Sequence, residues 1–200
     1  MSSAKKVGIL IFEDVELLDF AGPYEVFSIA GTLGRGLLAR PLTIADRAPV
    51  RTSNGLIVQP DYLLDEAPHF DILLIPGGNG TRRELHNEAT LDWIRSAAEE
   101  AEFLLSVCTG SLLIAKAGLA KNKRLTTHAS AFDELRAIAT ESQIIEGARV
   151  VDNGDLIVSA GISAGIDMAF YFLQREFGHP LATDVALQME YDWKPHGLAG

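Results

Sequence analysis

Four short runs of apolar, largely branched residues recur along the chain: Val7 to Phe12, Pro41 to Ala45, Asp71 to Pro76 and Phe103 to Val107. Each is bounded by turn-forming or charged residues and reads as a buried strand. Interleaved with them, Pro23 to Ala30, Thr90 to Glu100, Thr109 to Ala117 and Ser130 to Ala139 place apolar residues three and four apart, the spacing of a helix face. Alternating strands and helices imply right-handed crossovers. They predict an α/β fold with a mainly parallel sheet sandwiched between helices.

The segment Arg149 to Ser159 departs from that rhythm. Asn153-Gly154 stands between two β-prone runs and predicts a hairpin. Beyond it a helix is expected over Ser163 to Phe177, opened by a capping Ser163 and stopped at Gly178. His179-Pro180 separates it from a last helix near Leu181 to Tyr191, followed by an irregular tail from Trp193. No repeat, low-complexity tract or linker interrupts the 200 residues, so residues 1–200 are expected to share one core as a single domain.

Lys and Arg number 17 against 27 Asp and Glu; the net charge of -10 repels a polyanion and argues against a nucleic-acid partner. No apolar stretch approaches the roughly 18 residues of a spanning helix. Met1-Ser-Ser-Ala-Lys-Lys leads into a run too short for a signal-peptide core. A cytoplasmic protein without membrane contact is expected. The single cysteine excludes an internal disulfide, and neither Cys-x-x-Cys nor His-Glu-x-x-His is present, so no metal and no cofactor are expected.

That cysteine, Cys108, follows Phe103 to Val107 and precedes Thr109-Gly110-Ser111 and an apolar helix. Strand, sharp turn, nucleophile and helix in that order are a nucleophile elbow, which lifts the side chain out at the strands' carboxyl ends. Gly110 lets the chain approach itself there. Free amides at the helix start favour an anion and predict a lowered thiol pKa; a small buried hydrophobe is the alternative. Pro76-Gly77-Gly78 exposes backbone amides at a neighbouring strand end. Those of Gly78 and Thr109 would converge as an oxyanion hole, unless the glycines only turn the chain.

Asp19, in Leu17-Leu-Asp-Phe-Ala-Gly-Pro23, is either the N-cap of the helix marked by Pro23 or a carboxyl of raised pKa acting as acid or base beside the thiol. His128 closes a short β-prone run near the same cleft and is either a base for Cys108 or a structural histidine. His69, His86, His179 and His196 are expected at the surface, and Arg82-Arg83 and Glu99-Glu100 on solvated helix faces.

Asp71-Ile-Leu-Leu-Ile-Pro-Gly-Gly78, Ser106-Val-Cys-Thr-Gly-Ser111 and Thr126-Thr-His128 resemble the ThiJ/PfpI superfamily, whose domains are flavodoxin-like and related to class I glutamine amidotransferases. Phe12 to Pro23 and Ser159-Ala-Gly-Ile-Ser-Ala-Gly-Ile-Asp167 extend the likeness over nearly the whole chain. Thr109 after the cysteine, and Asp19 where other branches carry glutamate, make the chain most similar to the isocyanide hydratase group.

The resemblance implies a cysteine-dependent lyase. Cys108 attacks the carbon of an isocyanide, a small-molecule electrophile, Asp19 donates or relays the proton, and water releases an N-substituted formamide from a thioimidate. It also implies amides near Gly77, Gly78 and Thr109 polarising the reacting group, Ile162 on the helix packed beside the thiol, His128 as a pocket or supporting residue, and a homodimer. Departures narrow the reading. Thr109 stands where protease-like and amidase-like branches carry histidine, Asp19 replaces the glutamate of glyoxalase-type relatives, and Ala129-Ser130 follow His128 in place of an aromatic residue.

Similar domains form the sensing half of AraC-type regulators; the acidic charge, and the lack of a helix-turn-helix region within these 200 residues, rank a regulator below an enzyme unless the chain is a fragment of a longer protein. A redox sensor would use oxidation of Cys108 itself as its event, and an α-oxoaldehyde is the alternative electrophile. An enzyme acting on a carbon electrophile ranks first.

Overall fold

The computed structural model describes residues 4–34 and 36–194, so His196 lies outside the described residues. In chain order its elements are β1 (Val7–Leu10), α1 (Leu17–Leu33), β2 (Leu42–Ala45), β3 (Val50–Arg51), β4 (Ile57–Val58), β5 (Tyr62–Leu63), β6 (Ile72–Ile75), α2 (Thr81–Glu84), α3 (Glu88–Glu100), β7 (Phe103–Val107), α4 (Gly110–Lys116), β8 (Arg124–Leu125), α5 (Phe132–Ile138), β9 (Gln143–Ile144), β10 (Val150–Asp152), β11 (Leu156–Ser159), α6 (Ala164–Phe177) and α7 (His179–Gln188). Seven strands form one sheet in the order β10-β11-β7-β6-β1-β2-β5. Neighbours run parallel throughout except β10 and β11, the hairpin expected at Asn153-Gly154. β1, β6 and β7 are buried along their whole length, as central parallel strands between helical layers must be. α1, α6 and α7 pack on one another in one group, and α2, α3, α4 and α5 in a second.

Helix ends depart from the periodicity in ways that matter for the site. α1 begins at Leu17, so Pro23 lies inside the helix and Asp19 in its first turn. The residue at the N-cap is Glu16, whose side chain makes no capping bond, so the capping role considered for Asp19 does not apply. Packing of α1 against α6 and α7 offsets the backbone bond that Pro23 removes. α5 starts only at Phe132 because Ala129–Ala131 form a tight turn instead, in which the His128 ring accepts the Ser130 amide. Ser163 stands at the N-cap of α6, yet its hydroxyl does not cap the helix. α7 starts earlier than expected, at His179, with Pro180 in its first turn, where a missing N–H costs nothing. The short strands β3, β4, β5, β8 and β9 are each two residues long, too brief to register as a periodicity.

Phe172 of α6 ties the layers together. Its ring meets Phe27 of α1 at 5.9 Å, Phe103 of β7 at 5.1 Å and Phe177 at 6.2 Å, each edge-on. Trp193, in the irregular tail, stacks on Phe170 of the same helix at 5.4 Å. Phe172→Ala is expected to destabilise the protein by about 3–5 kcal/mol, read as a lower denaturation midpoint at unchanged slope in urea unfolding.

Candidate active site

β11, β7, β6 and β1 are consecutive parallel neighbours, so the turns leaving their carboxyl ends share one rim. Those turns carry Ile162, Cys108, Gly77-Gly78 and, at the start of α1, Asp19. The structure thus brings together residues spread over more than half of the chain.

Cys108 sits between β7 and α4 with φ at 59°, a left-handed conformation that strains any residue but glycine. Bonds on both sides hold it there. Its N–H donates to the Ser159 carbonyl (3.1 Å) and its own carbonyl accepts from the hydroxyls of Thr127 (3.0 Å) and Ser111 (3.1 Å). Gly110 is required next to it, because a Cβ there would fall 2.1 Å from the Ile75 carbonyl oxygen. The thiol is 5% exposed and borders a cleft of about 130 Å³.

Asp19 is fully buried beneath that cleft. Its Oδ1 accepts the Ile162 N–H (3.0 Å) and its Oδ2 the Gly77 N–H (3.1 Å), and the carboxyl is hydrogen-bonded to Cys108. Burial outweighs these bonds and pushes its pKa up to about 7. The thiol is pushed the same way, to about 12, first by burial and then by the negative charge of Asp19; the Thr109 amide and hydroxyl oppose the shift with less effect. The expected lowering of the thiol pKa is therefore reversed. α4 is only seven residues long and its terminus is weaker than a buried carboxylate in contact with the sulfur.

The backbone amides are also used differently from expectation. The Gly77 N–H is engaged by Asp19, and the Gly78 N–H donates to Thr109 Oγ1 (3.0 Å). Of the two amides expected to form an oxyanion hole, only that of Thr109 faces the sulfur. Gly78 has φ at 133°, and a Cβ there would lie 2.3 Å from the Glu16 nitrogen, so the turn admits only glycine. Ile162 is in the turn before α6 and not on the helix; its φ is 58°, and its half-exposed side chain lines the cleft. His128 does reach the cleft, but its Nδ1 accepts the Ser130 N–H (3.2 Å) and pairs with the Ser130 hydroxyl (2.8 Å) instead of turning to the thiol.

Several neighbours escaped the sequence reading. Gly161 presses against the site, where a Cβ would stand 2.3 Å from His128 Cδ2 and 3.3 Å from the Cys108 sulfur. Glu16, Asn79 and Arg82 line the cleft. Arg82, on the half-exposed face of α2, is held by Glu134 through two bonds of 2.9 and 2.6 Å. A glycine between strand and helix was the one available signal for Gly161; nothing in spacing marks the others. A wider hollow lies near Leu33, at the far end of α1, about 25 Å along a helix of 17 residues from its start, and has neither cysteine nor histidine in its wall. Among the described residues, no group of three or more His, Cys, Asp or Glu is placed to hold a metal ion, and no helix is long and apolar enough to cross a membrane.

The profile of the DJ-1/PfpI family matches residues 5–175, a span that includes every residue of this rim. The chain belongs to the DJ-1/PfpI family. Among its relatives is the isonitrile hydratase of Pseudomonas putida, 38% identical over 94% of this chain and 79% of that protein. The HTH-type transcriptional regulator CdhR of Pseudomonas aeruginosa is 27% identical over 90% of this chain, which spans 53% of the regulator's length. A crystal structure of a THiJ/PfpI family protein from Pseudomonas syringae superposes with a TM-score of 0.85 at 28% identity, covering 99% of this chain and 79% of that one. The relatives of this chain therefore include both a hydratase and a transcriptional regulator.

In this family member the folded state keeps the Asp19 proton up to about pH 7, whereas an unfolded aspartate releases it near 3.8. The native state binds the extra proton between these values, so stability falls as pH rises through that window. The drop in melting temperature from pH 4 to pH 7.5 is expected to be smaller in Asp19→Asn than in wild type.

Proposed function

We propose that this chain is an isocyanide hydratase-like lyase with Cys108 as its nucleophile. One observation carries the reading: a buried carboxyl titrating near neutrality in hydrogen-bonding contact with a thiol held at a strained elbow. The 38% identity to isonitrile hydratase supports the substrate class.

The reactive pair holds one proton, on the thiol, with Asp19 as carboxylate. Asp19 takes that proton as sulfur bonds to the isocyanide carbon and returns it to the same carbon, giving a thioimidate. Asp19, again a carboxylate, next deprotonates water as oxygen adds to the carbon, and the proton passes to nitrogen. The C–S bond then breaks, its electron pair returns to sulfur, and the hydroxyl proton restores the thiol as the formamide leaves. The Thr109 amide and hydroxyl face the sulfur and stabilise the charge that develops there. His128 and Ile162 shape the cleft wall. The same reading includes a homodimer and a cytoplasmic location. The likeness to CdhR supports a second reading, a sensing domain without turnover.

The test is mass detection of N-substituted formamide from a simple aryl isocyanide. Cys108→Ser is expected to abolish product, and Asp19→Asn to cut kcat by about 10²–10⁴. Because the pair needs Asp19 ionised and the thiol protonated, kcat/KM should rise through an inflexion near pH 7. Full turnover by Cys108→Ser would sink the covalent route, and absence of product from the wild type would favour the sensing domain.

A further inference from the structure

Beside Cys108, the buried hydroxyls of Thr109 and Thr81 meet the backbone of Gly78. Thr109 Oγ1 lies 3.0 Å from the Gly78 nitrogen, 2.9 Å from Thr81 Oγ1 and 3.3 Å from the Gly78 carbonyl oxygen. The same hydroxyl is among the groups that favour the ionised Cys108 sulfur. A threonine hydroxyl has one proton and two lone pairs, so only one of these neighbours can receive its proton.

Thr81 decides which. It is fully buried, and among the described residues its hydroxyl has one hydrogen-bond partner, Thr109 Oγ1. If Thr109 donated to Thr81, the Thr81 proton would be left buried with no protein acceptor among the described residues, the costly arrangement for a buried donor. Thr81 therefore donates. The Gly78 N–H and the Thr81 O–H then occupy both lone pairs of Thr109, leaving its proton two targets. The Gly78 carbonyl is a weak one, since 3.3 Å is long for O–H···O. The sulfur, once ionised, is the stronger acceptor because it bears charge.

We infer that Thr81 is a positioning residue whose buried hydroxyl aims the single proton of Thr109 at the sulfur of Cys108. Thr81 touches neither thiol nor cleft and acts through Thr109 alone. The inference deepens the proposed chemistry and rests on it for its purpose, namely stabilising the sulfur as it becomes an anion or leaves the thioimidate carbon.

The experiment follows the rate of Cys108 alkylation by iodoacetamide against pH, read by mass on the chain's one cysteine. Thr81→Ser keeps the hydroxyl and should overlay the wild-type profile. Thr81→Val, which keeps the volume without the hydroxyl, should shift the profile to higher pH and slow alkylation at a given pH by about threefold to tenfold. Thr81→Ala decides the matter if the valine variant does not melt cooperatively. A hydroxyl-free variant that overlays wild type, or a serine variant that shifts as far as valine, would overturn the inference. No isocyanide enters this assay. A shifted profile without formamide product faults the substrate assignment, and formamide turnover with an unshifted profile faults Thr81 alone.

Discussion

The carboxyl of Asp19 is the knot on which the site depends. Sealed from water, it receives one backbone amide from the turn after β6 and another from the turn after β11, and it touches the thiol that follows β7. A buried carboxylate gains strength from each donor because the surrounding dielectric is low, and it loses stability for the same reason whenever it is charged. Desolvation wins by enough to leave the group titrating near neutrality, so the residue that joins three turns is also one that can give and take a proton.

Reactivity at Cys108 is accordingly a property of the pair and not of the elbow. A helix start and two donors from Thr109 favour a thiolate, but burial and the adjacent carboxylate disfavour it more. The elbow supplies position and strain. In the proposed chemistry Asp19 moves the proton and the Thr81–Thr109–Gly78 cluster directs the Thr109 hydroxyl. The domain itself is shared by proteins with different tasks, so the arrangement of these few groups carries the functional argument and the fold does not.

Close approach explains why glycine recurs around the thiol. At Gly77 a Cβ would lie 2.5 Å from the Thr109 nitrogen and hydroxyl, and at Gly110 and Gly161 it would strike the Ile75 carbonyl and the His128 ring. Each glycine removes the atom that would hold two turns apart, and the four strand ends can then converge around one sulfur.

Much of this was legible in the chain. The continuous apolar runs predicted β1, β2, β6 and β7, the strand-to-helix order predicted the elbow, and Asn153-Gly154 predicted the hairpin, because each depends on residues near one another in sequence. Local pattern could not show that α1 starts before Pro23, that Ile162 precedes its helix, or that Gly78's amide is already engaged, since tertiary packing and long-range hydrogen bonds decide all three. The sequence alone determined that a lone cysteine stands at a strand-to-helix turn, that a glycine pair follows another strand, and that an aspartate stands near the start of a helix. Only the tertiary structure decided that Asp19 meets Cys108, that both pKa values are raised, and that Thr81 lies behind Thr109, because burial and contact between distant turns exist only once the sheet has brought them together.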